Sequence, residues 1–132
     1  MYLFLDYFLL VTHSALVLFI LGGWTWARTR RLHLAATLLT WVSWVGLGFH
    51  YGFGYCVCTD WHWQVKRRLG ETHLPNSYIK YYLDRLSGVE WDRLAVDGLV
   101  VGCAAAALGL SLWLNGRDWR RARSSGRADG TA

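Results

Sequence analysis

Two cysteines, an acid and a histidine alternate at the end of a long apolar run. Cys56, Cys58, Asp60 and His62 stand at every second position of the stretch GYCVCTDWHW. Thiolates favour zinc or copper, and carboxylates and imidazoles suit several divalent metals, so a metal or redox centre is one chemistry open to this stretch. No CxxC pair, HExxH or HxxxH spacing organises the four residues. Their residue types therefore suggest a site more strongly than their spacing does.

The elements that position these residues are segments long enough to cross a bilayer. Crossing about 30 Å of hydrocarbon takes about 20 apolar residues in a helix. Of the 132 residues, 54% are hydrophobic, which is too many for a small soluble core. Uncharged runs cover residues 7–27, 32–58 and 98–115. The first is a retained span and not a signal peptide, because no basic residue precedes it.

We therefore predict an all-α membrane protein with three transmembrane helices. The spans cover about residues 4–26, 33–54 and 94–114, within a single membrane domain of residues 1–115. A segment of residues 59–93 joins the second span to the third and lies at the outer surface. We expect the basic tail, residues 116–132, to be mostly disordered.

Arginines predict the orientation of the spans. Basic residues occupy the connector between the first two spans and the tail, at Arg28, Arg30, Arg31, Arg117, Arg120, Arg121, Arg123 and Arg127. Short basic flanks stay on the cytoplasmic side. We predict a multi-pass protein of the bacterial inner membrane, with its N-terminus outside and its C-terminus in the cytoplasm.

The outer segment reads as two short amphipathic helices at the interface. Thr59 or Asp60 can cap the first helix, and Gly70 ends it. Asn76 or Ser77 can cap the second, and Gly88 stops it.

With this topology, ionisable residues gather at the outer ends of the spans. The candidate polar cluster is Asp6, His50, Asp97, Asp60 and His62, and the candidate redox or metal ligands are Cys56 and Cys58. One interpretation is a metal or redox centre, and the other is a hydrogen-bonded polar collar at interfacial depth, where polar residues cost least. His50 and Asp97 form the pair to expect, because an acid fixes the tautomer of an imidazole.

We expect Cys56 and Cys58 to be free thiols or to pair with cysteines outside the chain. A bridge between Cys56 and Cys58 would close a cramped ring. Cys103 lies about nine residues into the third span, about 13 Å deep, so it cannot reach either one without distortion. A redox-active Cys-Val-Cys is the minority interpretation.

His13 lies near the middle of the first span. An unsatisfied polar group in hydrocarbon costs several kcal/mol, so we expect a partner inside the bundle, Thr40 or Ser43. As a haem ligand it would need a second histidine at the same depth, which a homodimer could supply. No cofactor is assigned, and a metal or a haem is the alternative.

Glycines predict where the helices touch. Gly48 and Gly52 in the second span, and Gly98 and Gly102 in the third, each form a small-xxx-small pair. Both pairs lie in the outer half. We therefore expect the second and third spans to meet there and to be more splayed in the inner half.

Several stretches resemble the small bacterial membrane family catalogued as domain of unknown function 2784. They are DYFLLVTHSALVLFILGGWTW, RLHLAATLLTWVSWVGLGF, GYCVCTDWHWQV and LPNSYIKYYLDRL, and the resemblance covers about residues 2–115. His13, His33, Cys56 and Thr59 fit the family's pattern of two histidines and a Cys-Pro-Leu-Thr stretch. The departures are Val57, Cys58 and His62. The resemblance supports the fold and topology and implies no established activity.

Partners follow from the size of the bundle. Three spans enclose too little to form a pathway alone, so we expect a homo-oligomer or a larger membrane protein partner. The net charge of +5 lies beside spans and meets lipid headgroups, not nucleic acid. The leading hypothesis is a non-enzymatic accessory or scaffold subunit. The alternatives are a membrane redox or metal-dependent enzyme using the outer cluster, and a small transporter subunit with His13 on the path.

Overall fold

The computed structural model is all-helical in the part of the chain it describes, which is the backbone of residues 1–129 and the side chains of residues 1–124. Three long helical segments form a bundle, and two short helices cover one end. The helices are α1 (Tyr2–Gly22), α2 (Arg30–Trp41) continued by a π-helical turn (Val42–Leu47) and α3 (Gly48–Tyr51), α4 (Val57–Arg68), α5 (Tyr78–Ser87) and α6 (Arg93–Asp129). We call the end covered by α4 and α5 the cap end, and the opposite end the arginine end.

Three of these segments are long and apolar enough to cross a membrane: Tyr2–Gly22, Arg30–Tyr51 and Arg93–Ser124. Only 11% of the most apolar stretch of the first segment is buried inside the chain. Phe4, Leu18, Leu39 and Leu99 are each more than 60% exposed. The rest of the chain does not cover this apolar surface, so lipid tails are the surroundings in which it is stable. The predicted fold class, three spans with two short helices between the second and third, is confirmed.

The short helices begin and end for local reasons. The Ser77 hydroxyl accepts a hydrogen bond from the Lys80 N–H at the start of α5, and Gly88 ends that helix with a φ of 69°. Both features agree with the sequence. Helix α4 begins earlier than expected, with Cys56 at the N-cap position instead of Thr59 or Asp60. Gly52 and Gly54 have φ of 100° and 86°, and these turns let α4 start directly after the second span.

The second and third spans hold each other at the arginine end. His33 is fully buried and lies 3.0 Å from the Ser111 hydroxyl and 2.8 Å from the Ile20 carbonyl oxygen. The carbonyl can only accept, so His33 Nε2 donates to it and Nδ1 accepts from Ser111. Arg30 and Asp118 form a 2.7 Å ion pair beside these bonds.

The sequence predicts that the second and third spans meet at their glycine pairs, but the two spans do not meet there. A Cβ added to Gly98 or Gly102 would find no atom within 4 Å. At Gly48 it would lie 3.2 Å from Phe53 Cα, in the turn after the second span, and Gly52 serves that turn through its positive φ. Buried polar groups without a partner are costly in lipid, so the hydrogen bonds at the arginine end decide the packing. The cap-end half is the more open one, which reverses the expectation.

Helix α6 also continues past the end of the predicted membrane domain. It runs to Asp129, through residues for which the sequence predicts a mostly disordered tail. Arginine and alanine are good helix formers, and the Arg123 guanidinium lies 3.8 Å from the centre of the Trp119 ring. Residues 130–132 of that tail lie outside the described residues.

Candidate functional site

A buried ion pair joins the first span to the cap. His62 Nε2 donates to Asp6 Oδ1 at 2.7 Å, and the Lys66 ammonium lies 3.2 Å from the same oxygen. His62 is fully buried and Lys66 is 6% exposed. Burial lowers the pKa of His62, against the opposing effect of Asp6. Burial would also lower the pKa of Lys66, but the bond to Asp6 and the nearby acids hold it above its ordinary value.

Further charged residues connect the ion pair to the surface. Lys66 lies 3.6 Å from Glu71, whose other carboxylate oxygen accepts from the Tyr81 hydroxyl at 2.5 Å. Arg85 donates to the Tyr81 oxygen at 2.9 Å. The Tyr81 hydrogen bond and the two cations lower the pKa of Glu71. Asp6, Lys66, Glu71 and Arg85 therefore form one charge-balanced chain from the first span to the surface.

Aromatic rings surround these charges. Trp63, Tyr78 and Tyr81 are buried together, with Tyr82 packed against them. The Trp63 indole donates to the Pro75 carbonyl at 2.7 Å, which ties α4 to the connector before α5. Burial raises the pKa of Tyr82 well above its ordinary value, so its hydroxyl stays neutral. The rings thus keep water away from the ion pair.

His13 lies against this aromatic group and beside a thiol. Its ring centre is 3.9 Å from that of Tyr78, and its Nε2 atom is 4.0 Å from Cys56 Sγ. The residue is 7% exposed, and its Nδ1 atom is buried without a hydrogen-bond partner among the described residues. The expected partners are bonded elsewhere: Thr40 donates to Ala36 and Ser43 to Tyr55. The prediction of a Thr40 or Ser43 partner is wrong, because both hydroxyls satisfy nearby carbonyl groups first.

A cavity of about 510 Å³ lies next to His13 and Cys56, between the spans and the cap. Its volume is within the range of about 300–1,000 Å³ typical of small-molecule sites. Charged side chains line it at the cap end, namely Asp60, Arg67, Arg93 and Asp97. Apolar side chains line its deeper part, including Val17, Ile20, Leu21, Val100 and Ala104. Trp41 also lines it, and the Trp41 indole nitrogen is buried without a hydrogen-bond partner in the described chain.

The predicted polar cluster is only partly brought together. Asp6 and His62 form the pair described above. Asp60 accepts from Gln64 at 2.8 Å, and Asp97 accepts from Arg93 at 3.4 Å. His50 is exposed, with its ring beside Tyr51. The expected pairing of His50 with Asp97 does not form, because each lies beside a neighbour on its own helix.

The three cysteines are free thiols. Cys56 and Cys58 are partly buried, and Cys103 is exposed. Burial and the neighbouring Cys56 raise the pKa of the Cys58 thiol. Within the described residues, no three His, Cys, Asp or Glu side chains are close enough together to hold a metal ion.

Sequence reasoning missed Lys66 and Tyr78 as members of the site. Lys66 reads as the solvent face of an amphipathic helix, yet it is buried and Trp61 on the other face is 58% exposed. The available signal is the spacing of His62 and Lys66, four residues apart, which places both on one helix face toward Asp6. Tyr78 has no such signal in the sequence.

Fold and site together define a helical chain with three spans long enough for a membrane and a capped, partly polar cavity. The chain belongs to the family described as Protein of Unknown function (DUF2784), whose model matches residues 3–116. This match confirms the resemblance seen in the sequence. No curated protein and no solved structure matches the chain.

Proposed function

We propose that this protein is an integral protein of the bacterial inner membrane that binds one amphipathic small molecule in the cavity between its spans. The polar group of the ligand would lie at the cap end, and its apolar part would extend beside the spans. The proposed role is thus that of a binding protein, in place of the scaffold role predicted from the sequence. It requires no reaction.

The polarity of the cavity lining carries this proposal. Two acids and two arginines line the cap end, while branched aliphatic side chains and Ala104 line the deeper part. A wholly polar molecule would leave the deep part without apolar contacts, and a wholly apolar one would remove water from the charged groups without offering them a hydrogen bond. A molecule with one polar and one apolar end satisfies both parts.

Two buried nitrogen atoms without partners support the same proposal. His13 Nδ1 and Trp41 Nε1 belong to residues that line the cavity. An unmade hydrogen bond on a buried group costs about 1–3 kcal/mol. A bound ligand that offers either nitrogen a hydrogen bond would recover that energy.

The arginine end supports the proposed orientation. The ion pair between Arg30 and Asp118 places the connector after α1 beside the end of the third span. The basic residues of both segments thus lie together, away from α4 and α5. Following the positive-inside rule, we propose that the arginine end is cytoplasmic and the cap end external.

Native mass spectrometry of the protein released from lipid nanodiscs tests the binding proposal. We expect a bound molecule on the unmodified chain and its loss in Thr40→Phe, which places a phenyl ring in the cavity. Leu39→Phe places the same ring at a neighbouring position that is 69% exposed, and should keep the ligand. Equal occupancy in both variants, or no ligand in the unmodified chain, would contradict the proposal.

Self-association is a second candidate, in line with an accessory or scaffold role. Gly98, Gly102, Ala105 and Gly109 lie exposed along one side of α6. A Cβ on any of these glycines would meet no atom of the chain within 4 Å. Small residues let a second helix approach closely in lipid. Cross-linking in nanodiscs should show less dimer for Gly102→Leu than for the control Ala35→Leu, which adds a large side chain at an exposed position of α2.

A further inference from the structure

The Cys56 thiol lies where three features meet: the His13 imidazole, the first turn of α4 and the cavity. We infer that Cys56 is a nucleophile that accepts an acyl group from an amphipathic acyl donor, with His13 as its general base. This inference rests on the proposed binding function, because the cavity must hold the donor. It adds a covalent step and a substrate class to that function.

The geometry of the His13 ring suits a base. Nε2 lies 4.0 Å from Cys56 Sγ, and the face of the ring packs on Tyr78 at 3.9 Å between centres. The Tyr78 hydroxyl is itself held 3.4 Å from both the Leu10 carbonyl and the Ser14 hydroxyl. This packing fixes the imidazole beside the sulfur. Thiol and base pairs are often this loose before a substrate is bound and tighten around it.

The first turn of α4 supplies groups for the negative charge of the reaction. Cys56 is the N-cap residue, and no side chain caps the N–H groups of this turn. The first N–H groups of a helix have no partner within the helix, and they carry partial positive charge. A carbonyl carbon bound to the Cys56 sulfur would lie at this end of the helix. They can therefore stabilise the oxyanion that forms when sulfur adds to a carbonyl group.

The cavity suits an acyl donor that has an apolar chain and a polar leaving group. Its lining includes Cys56 and, deeper in the bundle, Val17, Ile20 and Thr37. A carbonyl group at the sulfur would thus have room for its apolar chain among aliphatic side chains. The charged cap end would hold the polar leaving group. An acyl ester or thioester with a single chain has this arrangement.

The step balances without an oxidant or a metal. His13 removes the thiol proton as the sulfur attacks the carbonyl carbon. A carbon–sulfur bond forms, and the bond between the carbonyl carbon and the leaving oxygen or sulfur breaks. The proton on His13 then passes to that leaving atom. The products are an S-acyl Cys56 and a free alcohol or thiol.

The other cysteines lack this combination. Burial raises the pKa of the Cys58 thiol, which reduces its thiolate fraction. Cys103 also lines the cavity, but it lies inside α6 and not at the start of a helix. We therefore expect acylation at Cys56 over Cys58 and Cys103.

Two matched probes test the inference on the full chain in lipid nanodiscs. The first is p-nitrophenyl octanoate, which can acylate a thiol and releases coloured p-nitrophenolate. The second is p-nitrophenyl octyl ether, which has a similar shape and cannot react. We expect the ether to bind reversibly, and the ester to leave one octanoyl group, mapped to Cys56 by peptide mass spectrometry and removed by hydroxylamine.

Variants separate the roles. Cys56→Ala should abolish the adduct, and His13→Gln should slow it roughly 100-fold, as expected for loss of a general base. Both variants should still bind the ether, because Gln keeps a polar group at position 13 and Cys56→Ala removes only the sulfur; this binding shows that they remain folded. His50→Gln changes an exposed histidine away from the cavity and should react at the unmodified rate.

The outcomes distinguish the two proposals. If the ether does not bind the unmodified chain, the binding function itself fails. If the ether binds but the octanoyl group is absent, or is spread evenly over the three cysteines, only the covalent step is overturned. An unchanged rate in His13→Gln, with the adduct still on Cys56, would remove His13 as the base.

Discussion

His62 on the cap and Asp6 on the first span are joined by a hydrogen bond of 2.7 Å, and His62 is fully buried. Two residues 56 positions apart in sequence thus fix α4 against α1. Lys66, one helical turn further along α4, shares the same carboxylate. The cap is therefore attached to the bundle through a charged group held by two donors, and not by apolar packing alone.

Removing the Asp6 charge should loosen the cap. Asp6→Asn leaves the nearly buried Lys66 without its closest anion, and breaking one partner of a buried pair costs about 3–5 kcal/mol. We expect a decrease at the lower end of this range, because the Asp6 side chain is 17% exposed and Glu71 lies 3.6 Å from Lys66. The free energy of unfolding in mixed detergent micelles measures it.

Glu90→Gln is the control for this change, since it removes a carboxylate that is exposed. Its unfolding free energy should stay within about 0.5 kcal/mol of the unmodified value. Equal effects of Asp6→Asn and Glu90→Gln would mean that the ion pair contributes nothing to stability.

The stability of the protein should fall at mildly acidic pH because of His62. Burial holds its pKa below the ordinary value of 6.5, so the unfolded chain binds a proton that the folded chain excludes. Stability is then complete above about pH 6.5 and decreases as the pH falls below it. The decrease is at most about 1.4 kcal/mol per pH unit for one group.

Thermal unfolding from pH 7.5 to 5 would measure this dependence. His62→Gln keeps a donor for Asp6 but cannot take up the proton, so its curve should be flatter. His73→Gln changes an exposed histidine and should keep the slope of the unmodified chain. Glu71, whose pKa is lowered by Tyr81, affects stability only at lower pH, below its ordinary value of 4.5. A slope unchanged by His62→Gln would exclude His62 as its source.

The contact between His33 and Ser111 should stabilise the arginine end modestly. Ser111→Ala leaves the buried Nδ1 atom of His33 without its donor at 3.0 Å. Polar contacts between spans average about 0.6 kcal/mol in double-mutant cycles and reach about 1.7 kcal/mol. We expect a loss of about 1 kcal/mol in unfolding free energy.

A double-mutant cycle with His33→Leu would isolate the coupling between the two side chains. Ser124→Ala serves as the control, because the Ser124 hydroxyl bonds only within its own helix, to Arg120 and Arg121. Additive effects of Ser111→Ala and His33→Leu would show that the two residues do not interact in the membrane.

Reporter fusions should reveal the two sides of the protein. We expect alkaline phosphatase inserted after Gly70 to be active, and a fluorescent protein fused after Ala132 to fold and fluoresce, since the arginine end is proposed to be cytoplasmic. Replacing Arg28, Arg30 and Arg31 by Gln should weaken this preference. Phosphatase activity at the C-terminus of the unmodified chain would reverse the orientation.

The sequence by itself determined the elements. Uncharged runs of sufficient length identify three spans, and the punctuation of α5 by Ser77 and Gly88 follows from capping chemistry. The sequence also places Asp6 and His62 at the same end of the bundle. These features depend on length, charge and local hydrogen bonding, all of which involve residues close together in the sequence.

Only the tertiary structure decided which faces meet. Lipid tails and neighbouring helices are equally apolar, so a span carries little sequence signal for the side that packs on protein. For this reason the glycine pairs do not mark the contact between the second and third spans. For the same reason His13 lies beside Tyr78 and Cys56 and not beside Thr40. The same holds for the choice of His62 over His50 as the paired histidine. Such partners depend on how the cap docks on the spans, and that docking is fixed by contacts far apart in sequence, such as that of His62 with Asp6.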